Sequence, residues 1–137
     1  VINDYLDERY PHPPLMPVDP VSRAQLRLTH HCILKDWFII ARELEGSTGK
    51  KAEGLAKQLK EGIIAANELF KMSEYVLSDE LSLVDCSLGP LFWRLPHYGV
   101  KLGKPGASVE AYAHRIFSRS SFKASLTQAE RDLVLAT

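Results

Sequence analysis

The chain has 137 residues, 45% hydrophobic and 25% charged, with 17 basic side chains against 17 acidic ones. That length predicts one domain with a true core, burying about 68% of the unfolded surface. The even charge argues against direct nucleic-acid binding, which needs an excess of Lys and Arg to release counterions from phosphate, and against a role on membrane surfaces.

No apolar run reaches membrane-spanning length and no signal peptide opens the chain, so a cytoplasmic protein is expected. Cys32 and Cys86 form no CxxC and lie inside apolar helical patterns, which predicts two buried, reduced thiols. The segment Val1-Ile2-Asn3-Asp4-Tyr5-Leu6 starts within an amphipathic pattern, without Met or a cap. This predicts a chain that opens midway through a helix of a preceding domain, residues 1–10. Tyr10-Pro11-His12-Pro13-Pro14-Leu15-Met16-Pro17 must be extended and stiff, because its prolines hold φ near −65° and lack donors. Residues 11–18 are thus the expected connector, and 19–137 a second, helical domain.

Asp19-Pro20 reads as an N-cap followed by Pro at the first helical position. Leu26, Ile33, Trp37, Ile40 and Leu44 then draw one apolar stripe, closed by Gly46. The next helix carries Leu55, Leu59, Ile63, Ala66 and Phe70, with Glu53, Lys57 and Glu61 on the other face, and should form an antiparallel hairpin with the first. Ser82-Leu83-Val84-Asp85 fits a capping box with Asp for Glu, ahead of a run apolar on nearly every side: Cys86, Leu88, Leu91, Phe92, Trp93 and Leu95. A helix of that kind crosses the centre of a core, kinked at Gly89-Pro90 and ended by Pro96. Beyond a loop from His97 to Gly106, Val109, Tyr112, Ala113, Ile116 and Phe117 face inward. Ser120 to Phe122 begin a short turn, and Thr127 to Glu130 read as a second capping box before a last helix. Sustained period-two alternation is absent, so the predicted fold is all-α.

The possible chemical motifs are weak. His30-His31-Cys32 are consecutive, and neighbours on a helix point about 100° apart, so a structural role is expected over a metal site. No GxSxG elbow marks a nucleophile, and Gly103-Lys104-Pro105-Gly106 lacks the other positions of a phosphate loop. Asp85 could be a catalytic acid, but its capping role accounts for the same residues more simply. For Pro11-His12-Pro13-Pro14, composition leaves a stiff linker and a recognition surface equally open; a rigid segment loses little entropy on docking.

Taken together, the tail helix with Tyr5-Leu6-Asp7-Glu8-Arg9-Tyr10-Pro11, the proline connector, the helix hairpin and Leu77-Ser78-Asp79 before the capped helix resemble the C-terminal half of the glutathione-transferase superfamily. Tyr112, Arg115, Phe117, Ser121-Phe122 and Ser125-Leu126 fit it as well. Within it, the run from Tyr5 to Val18, Lys35-Asp36-Trp37, Leu77 to Glu80, Leu91 to Pro96 and Ser125 to Arg131 are similar to the bacterial stringent starvation protein A family. Asp19 stands where that family usually has an aromatic. The resemblance implies a transferase-like helical bundle with a capped, buried central helix. It also implies a dimeric regulator of the starvation and acid-stress responses, bound to RNA polymerase holoenzyme with its sigma factor, with no transferase activity and no cofactor. Pro11, His12, Pro13 and Pro14 would form its exposed docking pocket, and Ser82 and Asp85 its structural cap. The alternative is the substrate-side domain of an active glutathione S-transferase; direct DNA contact is a minor third reading.

Overall fold

The computed structural model describes residues 2–135; Val1 and the last two residues of the expected helical domain lie outside them. Helix α1 (Ile2–Arg9) has no buried residue, and the connector after it has no regular structure. Asp19 caps α2 (Pro20–Ile33) by accepting from the Ser22 amide, since a side-chain acceptor there satisfies a donor the first turn leaves open. The predicted single helix continues through a π turn, Leu34–Phe38, into α3 (Ile39–Glu45). Leu26, Ile33, Trp37 and Leu44 of the stripe are buried, while Ile40 is half-buried.

Helix α4 (Gly49–Ala65) follows Gly46–Thr48 and packs on α3. Gly62 permits that approach: a Cβ there would lie 3.2 Å from Trp37 Nε1. The helix stops before Ala66, so Phe70 reaches the core from a 3-10 turn, Asn67–Lys71. Of the expected charged neighbours, Lys57 and Glu61 pair at 3.9 Å.

Seven of the eleven residues of α5 (Leu83–Trp93) are buried, which places it at the centre of the bundle. Pro90 sits within the helix. At Gly89 a Cβ would meet Ile116 Cγ2 at 3.0 Å and Phe122 Cε2 at 3.1 Å, so α6 (Ala107–Ser118) and α7 (Ser120–Ser125) close against α5 because that side chain is missing. Trp37, Phe70, Phe92 and Tyr112 interlock with centroid separations of 4.8 to 6.2 Å, joining the π turn, the 3-10 turn, α5 and α6. Burying each such ring contributes about 2 kcal/mol.

The last helix, α8 (Gln128–Leu135), is held from α5: Trp93 Nε1 donates to the Glu130 carbonyl at 3.0 Å, and the Arg94 guanidinium binds the Glu130 carboxylate. The second capping box is therefore only half formed. The Glu130 amide donates to Thr127 Oγ1 at 3.3 Å, but its carboxylate turns to Arg94, a charged partner that outweighs the neutral amide behind it. Among the described residues there is no strand, only one antiparallel bridge between Tyr75 and Ser78.

Candidate partner-docking site

The connector is fastened on both sides of its exposed residues. The Leu15 amide donates to Asp7 Oδ1 at 2.6 Å, which ties it to α1. The Leu15 carbonyl accepts from the Leu83 amide at 3.0 Å, which ties it to the start of α5. Met16 is buried, and the Pro17 carbonyl accepts from Arg23 Nε at 2.8 Å. Between these anchors Pro11, His12, Pro13 and Pro14 are all exposed, and the His12–Pro13 peptide bond is cis. Four rings' worth of fixed or planar surface are thus presented without flexible stems. Exposed Tyr5 and Leu6 on α1, Tyr10 just after it, Val18 at the connector's end and Val21 on α2 make its surroundings apolar. Arg9 lies over the Tyr10 ring at 5.5 Å.

Ser82 and Asp85 meet as the spacing predicts and close the capping box of α5. Asp85 Oδ2 accepts from the Ser82 amide at 2.7 Å and from the Ser82 hydroxyl at 2.6 Å. Its other oxygen accepts from the Val76 amide at 3.0 Å and from the Tyr112 hydroxyl at 2.5 Å. Asp85 is fully buried, and the donors around its two oxygens offset the cost of taking so polar a group out of water. Burial, and then the Asp85 charge, push the Tyr112 hydroxyl far above its ordinary range, so it donates and stays neutral. This group has no open valence for a substrate. It organises the fold: through it α5, α6 and the turn at Val76 share one atom pair. Tyr112 was legible only as a core residue, because nothing in its spacing announces a partner 27 positions away.

The thiols differ from expectation. Cys32 and Cys86 are both exposed. Cys32 adjoins Ile33 and Cys86 adjoins Asp85, and a helix turns about 100° per residue, so each lies off the buried stripe that claimed its neighbour. Burial of the sulfur's surroundings, then the Asp85 charge, raises the Cys86 thiol above its ordinary value, with Arg119 opposing; Cys86 is accordingly a poor nucleophile. His31 is exposed, whereas His30 Nε2 lies 2.8 Å from Ser87 Oγ and burial lowers its pKa. Among the described residues no group of three or more His, Cys, Asp and Glu side chains could hold a metal, and no helix is long and apolar enough to cross a membrane. Gly103 to Gly106 serve as a connection: the Gly103 amide donates to Glu110 Oε1 at 3.1 Å, with Gly103 at φ +66°.

Sequence reasoning missed the Asp7–Leu15 anchor, the Arg94–Glu130 clasp and Arg119. Asp7 reads as a solvated charge and Glu130 as a capping residue, and only packing shows which backbone and guanidinium groups they meet.

No protein-family profile matches the chain. Several relatives named stringent starvation protein A homolog do. Those of Haemophilus ducreyi, Haemophilus influenzae and Coxiella burnetii are 44%, 42% and 42% identical over 92%, 94% and 97% of this chain. The mango tau-class glutathione S-transferase superposes with a TM-score of 0.72 over 97% of this chain and 66% of that one, at 19% identity, a likeness of fold alone. The chain spans only 60% to 64% of the length of those three relatives. With that identity in register over nearly all its residues, on an all-α glutathione-transferase-like bundle, the chain is similar to part of the proteins named stringent starvation protein A homolog.

Proposed function

We propose that this chain is the partner-docking, helical part of an RNA-polymerase-associated transcription regulator of the stationary-phase, starvation and acid-stress responses. It works in the cytoplasm by protein–protein contact, not by catalysis and not by direct nucleic-acid binding. The observation that carries the reading is the exposed Pro11–Pro14 segment, bare between the anchors at Asp7 and Leu15. A surface already ordered loses little entropy when a large partner covers it. The relatives' name supports the link to starvation. Exposed Leu28, Leu34 and Ile39 along α2, the π turn and α3 support pairing with a second copy. His12→Ala should abolish pull-down of RNA polymerase holoenzyme while far-ultraviolet circular dichroism stays unchanged. Undiminished pull-down by that variant removes the docking site.

A second reading is favoured by the transferase fold: the chain would be the substrate-side domain of an active glutathione S-transferase. Retention of the full-length protein on glutathione resin with robust conjugation would select it; absence of both would select the regulator.

A further inference from the structure

Between α1, the connector and the α5–α7 side of the bundle lies a cavity of about 690 Å³, within the range of small-molecule sites. Leu6, Leu15, Leu83, Pro90, Ile116 and Phe122 give it largely apolar walls. Arg119, between α6 and α7, is the only cationic side chain lining it among the described residues. Its Nη1 donates to the Tyr75 hydroxyl at 2.7 Å, and its guanidinium carbon lies 5.7 Å from the Tyr75 ring centroid, which holds the group in one orientation. Nε is buried and has no acceptor among the described residues, and no carboxylate among them forms an ion pair with Arg119. With Nη1 engaged and Nε sealed from solvent, Nη2 is the donor left for a carboxylate entering from the cavity. Two acids also border the cavity, yet each is turned to the chain's own donors: both Asp85 oxygens are taken, and Asp7 holds the Leu15 amide.

We propose that this cavity binds an amphipathic organic anion, an apolar chain or ring ending in a carboxylate, with the carboxylate on Arg119 and the apolar body between α1 and α5. The inference is independent of polymerase docking. The apolar walls reward removal of the body from water, and the guanidinium selects the charged end, since an ionised donor is matched by an anion better than by any neutral group.

The test is titration with dansyl-labelled undecanoic acid and, as the uncharged counterpart, its methyl ester, followed by dansyl fluorescence. The acid should bind at least about tenfold more tightly than the ester, and Arg119→Met should remove that preference. Ser121→Trp, at an exposed position on the cavity wall, should block both probes without touching the core. In a Cys32→Ser background, the acid should slow modification of Cys86, another wall residue, by a thiol reagent. If Arg119→Met loses its helical circular dichroism, Ser121→Trp and Cys86 protection decide. Equal affinity for acid and ester, binding indifferent to Ser121→Trp, or binding by this chain that vanishes in a protein of its relatives' full length would overturn the proposal.

Discussion

The Asp85 node and the Pro11–Pro14 connector put polar chemistry to opposite uses. Asp85 is sealed in the bundle with both oxygens occupied by four donors from Ser82, Val76 and Tyr112. Nothing is left over for a partner, and the gain is a single arrangement of α5, α6 and the turn before them. In the connector the anchoring is moved to its flanks, and the residues between are exposed and uncommitted. A saturated buried group fixes a fold, whereas a rigid exposed one is available to a second molecule. The difference teaches that the most conspicuous ionisable residue need not be the functional one.

The strongest way to break this contrast is Asp85→Ala. It strands the Val76 amide, the Ser82 amide and the Tyr112 hydroxyl away from water, so urea denaturation should show a loss of about 4 kcal/mol. A loss under about 1 kcal/mol would mean that the node is not a structural keystone.

Gly89→Ala comes next. The new methyl must push back Ile116 and Phe122, and overpacking of this kind costs about 2 kcal/mol, readable as a lower Tm. Unchanged stability would mean that α6 and α7 can retreat from α5 freely.

A smaller effect is expected at the Arg94–Glu130 clasp. Hydrogen bonding to Arg94 holds the Glu130 carboxyl below its ordinary value of 4.5. Because the folded value is the lower one, the clasp contributes fully above pH 4.5 and is lost as the pH falls through the depressed folded value. Trp93 donates to the Glu130 carbonyl, so its fluorescence should report α8 loosening in acid, and Glu130→Gln should show the loosened signal at neutral pH, with a stability loss of about 1 kcal/mol or less for so exposed a pair. Fluorescence flat with pH in the unmodified chain would remove the clasp.

The smallest stability effect belongs to His12→Ala, within about 0.5 kcal/mol of the parent, because an exposed side chain without internal partners contributes little to folding. That neutrality sharpens the contrast: the substitution that leaves stability alone is the one expected to abolish partner capture.

How far the sequence could be read differs by region. The stripe Leu26, Ile33, Trp37 and Leu44 and the Ser82–Asp85 box were legible because each depends on spacing within one helix. The end of α4 was misplaced: Phe70 keeps the apolar period, but it arrives on a 3-10 turn. The thiols were misjudged because a single helical step separates a buried position from an exposed one. Thr127 to Glu130 formed only the hydroxyl half of their capping pattern, since the Arg94 guanidinium was the better partner for the carboxylate.

Local rules therefore determined the helical class, the caps at Asp19 and Ser82, the central place of α5 and the stiffness of the connector; each follows from periodicity, from the donors a helix start leaves open, or from the geometry of proline. Only the tertiary structure decided which atoms Asp85 and Glu130 meet, that Asp7 and Leu83 pin the connector, and that Arg119 faces an apolar cavity. Those outcomes join residues brought together by packing, and no interval along the chain encodes them.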